Sequence, residues 1–533
     1  MTVLCFVLEI YSKKERTMRI NTRRIFVLFG ILLLIAGQFI SAAGQNDRNA
    51  VTSKDIKDGT RESFSVAMKA EPPNLDPHNH TTLVGFGIQR LIYDTLVAQD
   101  ENGNIIPKLA KSWDVISDIA VRFYLRDDVY FHNGEKLTAE DVRFSIQRSA
   151  TNKSSRTLFS AFDGVKTNVI DDYTIDVYLK YPFAPIYNYL ASPRGDIISK
   201  KALEEMGESE FGRNPVGSGP FVFSKWVTGD RIELTRNTNY WGPEPKYNNF
   251  VARFITEPTN RAIELETKGV DAIFDVSPSD IARLKKTPNV KVLQGPGYKT
   301  SFITMSFAAP EFEDIRIRKA LAHALDVEAI VKAVYKDGAQ VADSVISPRV
   351  FGYKKVGPYE YNPELSRQLL KEAGFEKGLN LTFYTNEDSQ FIAVAEVAQN
   401  MWKQVGINVT IRTYDQATYL AMASEGKVAL GMSSSTPSTG DPDHALIVWP
   451  STYGGQLQAN DPKIDAMLEK GKSTYDPADR KKVYEEIQDY IWSLYRMIPI
   501  AFSDAVYATM DYVENFECHP GTTPNLSTVT FTK

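Results

Sequence analysis

Apolar and polar residues first alternate at Phe64, Val66 and Met68, the two-residue period of a half-buried strand. The stretch Glu71-Pro72-Pro73-Asn74-Leu75-Asp76-Pro77 ends it, because three prolines cannot donate to a ladder. Val121-Phe123-Leu125 and Ile175-Val177-Leu179 repeat the alternation. Between them His132-Asn133-Gly134 predicts a turn, and Thr138 with Asp141 three residues on predicts an N-capped helix through Arg148. Further along, the period lengthens to that of a helix. Ile317, Leu321 and Ala324 share one face, as do Val394, Val397, Ala398, Met401 and Val405, and again Val483, Ile487, Tyr490, Ile491 and Leu494. Such stripes are core-facing rather than cofactor-binding. Leu379-Leu381-Phe383, a helix over 391–405 ending before Gly406, and Ile407-Val409-Ile411 predict a βαβ unit with parallel strands joined right-handedly. Asp461-Pro462 and Asp476-Pro477 each pair an N-cap with proline at the first helical position. The pattern predicts a mixed α/β protein with no internal repeat and no long linker, preceded by a polar, aperiodic and flexible segment over 44–60.

The 533 residues suffice for several average domains or for one large two-lobed body. The net charge of −5 argues against a polyanion binder, so nucleic acid is not an expected partner. Cys5 and Cys518, nearly a chain length apart, offer neither a disulfide framework nor a four-cysteine metal site. Residues 1–43 form a leader in which 19–43 read as an export signal. Arg19, Arg23 and Arg24 precede the apolar run Ile25–Gly37, and Ser41-Ala42-Ala43-Gly44 supplies a small-residue cleavage site. As a helix the run would reach only about 20 Å, short of the ~30 Å hydrocarbon core. No cysteine stands at the cleavage point to accept a lipid, so a soluble periplasmic form is expected. Met18, just before the signal, is the expected start of translation. The leader holds six basic and two acidic residues, so its loss takes the net charge to −9.

There is no phosphate loop, no His-Glu-x-x-His, no Gly-x-Ser-x-Gly elbow and no calcium loop. Val216-Gly217-Ser218-Gly219-Pro220 lacks the third glycine of a dinucleotide loop and reads as a tight turn requiring glycine's conformational freedom. His78, His80 and His444 could converge on nickel, copper or zinc, although loop histidines more often form ordinary hydrogen bonds. Asp441 and Asp443 could perform acid/base work in a secreted hydrolase, although Asp-Pro-Asp is more often turn and capping chemistry.

Several segments, taken in order, resemble the family 5 extracellular solute-binding proteins of ABC importers, which bind oligopeptides, dipeptides, glutathione or nickel. They are Asn74-Leu75-Asp76-Pro77-His78; Phe131-His132-Asn133-Gly134-Glu135-Lys136-Leu137-Thr138-Ala139-Glu140-Asp141-Val142; Asn214-Pro215-Val216-Gly217-Ser218-Gly219-Pro220-Phe221; Asn239-Tyr240-Trp241-Gly242; Ile317-Arg318-Lys319-Ala320-Leu321-Ala322-His323-Ala324-Leu325-Asp326; and Thr439-Gly440-Asp441-Pro442-Asp443. The resemblance covers nearly all of residues 62–533. It implies an α/β, two-lobed, type II-like clamshell with a third domain inserted in lobe one. Lobe one would comprise 61–95, 214–300 and 496–533, the extra domain 96–213 and lobe two 301–495, hinged by two crossing strands near 300 and 495. It further implies a monomeric, non-enzymatic receptor without a cofactor. That receptor would trap a small peptide-like solute and pass it to an inner-membrane permease with a cytoplasmic ATPase.

The ligand-binding pattern departs from that of peptide binders. By family position Ser435 stands where a pocket tryptophan is usual and Ser438 where an aspartate holds the ligand amine. Tyr384-Thr385-Asn386-Glu387 contains no arginine for a ligand carboxylate. Ordinary dipeptides would lose both charge-assisted bonds. The Pro437-Ser438-Thr439-Gly440-Asp441 loop is similar to that of glutathione-type members and equally suits a modified peptide, an opine-like compound or an oligosaccharide. The implied site draws on Thr81, Thr82 and Leu83 from one lobe and on Ser306, Tyr384, Ser435, Thr436, Ser438 and Asp441 from the other, with Trp449 as apolar cover. A nickel or metallophore receptor is the alternative function.

Overall fold

The computed structural model describes residues 56–57, 60–79, 84–100, 103–450, 457, 459–521 and 524–532. The leader, the possible start at Met18 and nearly all of 44–60 lie outside the described residues.

Strand β1 (Thr60–Met68) carries the first alternation and is followed by helix α1 (Phe86–Ile92). Strands β2 (Ala110–Ser117) and β3 (Ala120–Leu125), helix α2 (Ala139–Thr151), and strands β4 (Asn168–Asp171) and β5 (Thr174–Tyr178) come next. The four strands form an antiparallel sheet in the order β2-β3-β5-β4. Helix α2 starts with the capping box foreseen: the Thr138 side chain meets the backbone of Asp141, whose carboxylate accepts from the Thr138 backbone at 3.1 Å. Val142 and Ile146 of α2 lie buried in one core with Phe123, Leu125, Ile175 and Val177. These residues are spaced at the helical period on one element and at the strand period on the others.

The remaining chain builds one twelve-stranded sheet. Its elements are β6 (Phe221–Val227), β7 (Arg231–Arg236), β8 (Tyr247–Phe254), β9 (Ala272–Ile273) and the long β10 (Val290–Met305). Helix α3 (Ile315–His323), strand β11 (Leu379–Asn386), helix α4 (Ser389–Gln404), strands β12 (Ile407–Tyr414) and β13 (Leu430–Ser435), helices α5 (Pro442–Ala445), α6 (Pro462–Ser473) and α7 (Pro477–Ser493), and the long β14 (Met497–Met510) complete it. The strand order is β6-β7-β8-β1-β9-β14-β10-β13-β11-β12, with Ile56–Lys57 and Ala339–Val341 attached at β1 and β14. β11, α4 and β12 are the expected βαβ unit, with Leu379 opposite Ile407 in a parallel pair. Helices α6 and α7 begin with the expected caps, Asp461 and Asp476, each followed by proline.

β10 and β14 pair antiparallel along their whole length and supply two different cores. Val506, Tyr507 and Ala508 lie with Phe64, Val66, Phe250 and Ala272, whereas Ile303, Ile498 and Ile500 lie with Leu321, Phe383, Val394 and Trp402. Phe302, on the opposite face of β10 from Ile303, joins Trp449, Ile487 and Ile491 in a further core. The ladder slips between Pro296 and Thr300, between the parts of β10 that serve the two cores.

The Gly217–Gly219 turn needs its glycines for a different reason from the one its sequence suggests. Neither residue has a positive φ. Instead the segment presses against the end of α1, where a Cβ on Gly217 would stand 2.0 Å from the Ile92 carbonyl oxygen and one on Gly219 2.7 Å. Close approach of two backbones, rather than left-handed conformation, demands the missing side chain.

Candidate functional site

A cavity of about 530 Å³ is lined by residues from several separate parts of the chain. Arg90 reaches it from α1, Gln99, Lys108 and Asp196 from the 96–213 segment, Tyr298 from the slip in β10, Arg349 from the connection before β11, and Glu517 and His519 from the C-terminal segment. Sequence-distant elements are brought together because β10 and β14 run side by side while the chain after β14 folds back. The Tyr298 backbone N–H donates to the Pro520 carbonyl at 2.9 Å. The rings of Tyr298 and His519 stand edge to face at 6.3 Å.

The charges in this cavity are unequally satisfied. Asp94, next to the cavity, accepts from Ser218 Oγ at 3.0 Å, Trp241 Nε1 at 3.1 Å and Tyr240 Oη at 3.3 Å, and pairs with Lys108 at 3.1 Å. Asp196, whose backbone lies opposite Thr95 in the same small ladder, is 2% exposed, and its Oδ2 has no hydrogen-bond partner among the described residues. Burial pushes its carboxyl well above the usual carboxylate range, while Lys108 and Arg90 oppose that shift. His519 is driven well below the ordinary imidazole value by burial and then by Arg90 and Arg349. Its Nδ1 accepts from the Gly521 N–H at 3.0 Å, so the neutral ring carries its proton on Nε2. Burial also raises the Tyr298 hydroxyl, against the pull of Arg349 and Arg90.

The loop after β13 borders this region. Gly440, at φ 65°, lies against Tyr298, whose Oη would stand 2.8 Å from a Cβ placed there. The Gln99 side-chain amide donates to the Thr439 carbonyl at 3.3 Å. Tyr189 Oη donates to Asp443 Oδ2 at 2.7 Å, and the Ala184 N–H to the Lys472 carbonyl at 2.7 Å. The 96–213 segment is therefore hydrogen-bonded to the segment carrying α5 and α6.

Of the residues singled out by sequence, Thr81, Thr82 and Leu83 lie outside the described residues. Ser435, at the end of β13, donates its hydroxyl to the Ala445 carbonyl at 3.0 Å. Thr436 follows it, half-buried. Ser438 Oγ is buried without a partner among the described residues. Tyr384 stacks on Tyr414 at 6.3 Å. Ser306 is buried at the far end of β10, accepting from the Ala308 N–H at 3.1 Å and donating to the Leu457 carbonyl at 3.4 Å. Asp441 caps α5 and holds Arg480 through two bonds of 2.8 Å. Trp449 is fully buried beside Phe307, its Nε1 without a partner among the described residues. Ser435, Thr436, Ser438 and Asp441 thus share one loop. Arg90, Tyr298, Arg349 and Glu517 carry no motif; the one signal was Arg90 itself, the single charge in a mostly apolar helix.

The histidines do not assemble as metal ligands among the described residues. His78 Nε2 meets the Asp196 carbonyl at 3.0 Å and His444 Nδ1 meets Thr439 Oγ1 at 3.4 Å, while His80 lies outside the described residues. Asp443 is engaged by Tyr189 and Lys472, and Asp441 by Arg480, so both carboxylates of the Asp-Pro-Asp segment serve as scaffold contacts.

Residues 104–456 match the model of the bacterial extracellular solute-binding proteins, family 5. The glutathione-binding protein GsiB of Escherichia coli O157:H7 is 28% identical over 473 residues, covering 86% of this chain and 92% of GsiB. The periplasmic binding protein DppA of Helicobacter pylori, solved with the peptide STSA, superposes with a TM-score of 0.80 at 26% identity, covering 88% of this chain and 98% of DppA. AgaA of A. tumefacien R10, solved with agropinic acid, superposes with a TM-score of 0.78 at 25% identity, covering 88% of this chain and 99% of AgaA.

Proposed function

The chain belongs to family 5 of the bacterial extracellular solute-binding proteins, and on that premise we propose that it is an exported receptor of an ABC importer. It captures a peptide or peptide-like small molecule in the cavity described above, delivers it to a membrane permease driven by a cytoplasmic ATPase, and leaves it chemically unchanged. The observation that carries this reading is the cavity itself. Its walls come from α1 and the C-terminal segment, from the 96–213 segment, and from Arg349, which lies between β10 and β14 in sequence. A solute bound there touches elements on both sides of two long strands that serve separate cores, which is the arrangement a hinged receptor requires. A ligand moves an open–closed equilibrium only by binding the closed form better, and that needs contacts from both sides.

In this reading residues 61–95, 214–300 and 496–533 form lobe one, 96–213 the extra domain and 301–495 lobe two, with the slip at Pro296–Thr300 as one hinge point. Residues 1–43 are removed on export, and the receptor works as a monomer. The 435–441 loop, which the family pattern assigns to the ligand, adjoins the cavity through the contacts of Gly440 with Tyr298 and of Thr439 with Gln99. Engagement of both Asp441 and Asp443 in internal contacts favours a receptor over a hydrolase, and the single-use histidines favour an organic solute over bare nickel.

Thermal denaturation with glutathione, a dipeptide and agropinic acid tests the proposal. A solute at about 100 times its Kd adds ~2.7 kcal/mol. With an unfolding entropy of ~2.1 cal/mol/K per residue, that raises Tm by about 3 °C for a chain of this length. No shift with any of the three refutes a peptide-like or opine-like ligand.

A further inference from the structure

The 96–213 segment is fastened differently to the two parts of the receptor that it lies between. Toward lobe one, Arg148 of α2 grips the buried Asp76 through bonds of 2.8 and 2.6 Å, the His132 N–H donates to the Gly217 carbonyl at 2.8 Å, and His132 Nε2 meets the Gly219 carbonyl at 3.0 Å. With the His78–Asp196 bond these contacts make the segment part of the lobe-one body. Toward lobe two it reaches α5, α6 and the connection to α7. Tyr189 Oη donates to Asp443 Oδ2 at 2.7 Å, and the Ala184 N–H donates to the Lys472 carbonyl at 2.7 Å. The Tyr475 hydroxyl donates to the Asp118 carbonyl, in the turn between β2 and β3, and accepts the Phe183 N–H at 3.1 Å. Both faces of this second contact are fixed in advance. The Tyr189 ring sits in the core of its own segment, edge-on to Phe183 at 5.0 Å, and the Asp443 N–H is held by Asp441 Oδ1 at 2.9 Å. Between the faces remains a cavity of only about 10 Å³, room for one water molecule, walled by Leu158, Phe183 and Tyr189 on one side and by Asp443, Ile447 and Lys472 on the other. None of Tyr189, Asp443, Lys472 and Tyr475 lines the larger cavity of the candidate site.

We propose that Tyr189, Asp443 and Tyr475 form a clasp between the extra domain and lobe two that holds the receptor closed without help from the solute. These positioning residues thereby set the affinity for every solute by one common factor while touching none of them. The proposal rests on the receptor reading and adds to it a control of capture that lies outside the solute cavity. Apparent affinity is the intrinsic affinity of the closed form multiplied by the fraction of protein already closed. Opening the lobes separates Tyr189 from a charged acceptor and Tyr475 from two backbone groups, so each bond counts only toward the closed form. The clasp keeps closed and open forms close to balance in the unliganded protein, and its loss leaves the open form in the majority. Solute chemistry does not enter this ratio, because the clasp and the solute occupy different places.

The test combines small-angle X-ray scattering of the unliganded exported chain with isothermal calorimetry against glutathione, Met-Leu and agropinic acid. Tyr189→Phe and Tyr475→Phe each delete one hydroxyl and keep the ring. A hydrogen bond to a charged acceptor changes the closed-to-open ratio by about tenfold, so Tyr189→Phe weakens each solute that binds by about five- to tenfold, and Tyr475→Phe by about three- to fivefold. Within one variant the factor is the same for every solute, and the radius of gyration of the unliganded protein rises. Tyr359→Phe is the comparison for a merely structural loss. Its hydroxyl donates to the Trp492 carbonyl at 2.7 Å within lobe two, so its removal leaves both affinity and radius of gyration at the parent's values. Clasp variants that bind as the parent does, losses that differ between solutes, or an unliganded radius of gyration that neither clasp variant changes overturns the proposal and leaves the receptor reading standing. A parent that binds none of the three overturns both the receptor reading and the clasp's part in capture.

Discussion

Asp441 separates scaffold from site more sharply than any other residue. It lies in the loop that the family pattern assigns to the ligand, yet its two oxygens take Arg480 Nη1 and Nη2 at 2.8 Å each, and Oδ1 also accepts the Asp443 N–H at 2.9 Å. Arg480 is itself anchored, its Nε donating to the Gly471 carbonyl at 2.9 Å, and its guanidinium lies over the rings of Tyr484 and Phe351. Asp441→Asn keeps the cap on α5 and nearly the same volume, but leaves a buried guanidinium without its counter-charge. Breaking one side of a buried pair costs about 3–5 kcal/mol. At an unfolding entropy near 1 kcal/mol/K for the whole chain, that lowers Tm by roughly 3–5 °C. Urea unfolding followed by circular dichroism measures the loss, and calorimetry with whichever solute the parent binds measures the affinity of the folded variant. The structure requires a large loss of stability and an affinity within about twofold of the parent. A variant as stable as the parent that no longer binds solute would make Asp441 a ligand group and refute the assignment.

Three further outcomes follow from local geometry. Burial, then Arg148, lowers His78 to about 4, and burial, then Arg194, lowers His444 to about 3. Both folded values lie below the unfolded value near 6.5, so their contribution is complete above pH 6.5 and is lost as the pH falls toward the folded values. At about 1.4 kcal/mol per pH unit for each group, urea midpoints should reveal a loss of roughly 5 kcal/mol between pH 6.5 and 4.5, and His444→Gln should remove about half of it; an unchanged slope in the variant contradicts the assignment. Gly217→Ala places a methyl 2.0 Å from the Ile92 carbonyl oxygen and should cost about 1–3 kcal/mol or more, whereas a midpoint equal to the parent's would mean that the turn can move. Thr138→Ala removes one half of the α2 capping box and should cost about 1 kcal/mol in the same assay.

Local signals in the sequence carried local structure. The Thr138–Asp141 box, the Asp-Pro pairs at 461 and 476 and the glycine after α4 act within one helical turn, so their consequences are readable without the rest of the fold. The βαβ unit was legible because both strands and the helix between them bury one face each. Pairings across the chain were not legible. Arg480 meets Asp441 from 39 residues away, and Tyr298, Arg349 and His519 meet only because β10 and β14 lie side by side. The reason for Gly217 was hidden for the same cause, since α1 lies more than a hundred residues earlier in the sequence. Family position pointed to the 435–441 loop, to Thr81, Thr82 and Leu83 and to Ser306, Tyr384 and Trp449, and said nothing of Arg90, Asp196 or Tyr298, which line the cavity.

The account stands or falls on whether the protein holds a small solute and returns it intact. The exported chain, dialysed against glutathione, a dipeptide and agropinic acid, washed and then denatured, should release close to one equivalent of solute with its original mass in mass spectrometry. Release of cleaved products, or of no solute at all, would contradict the account at its centre.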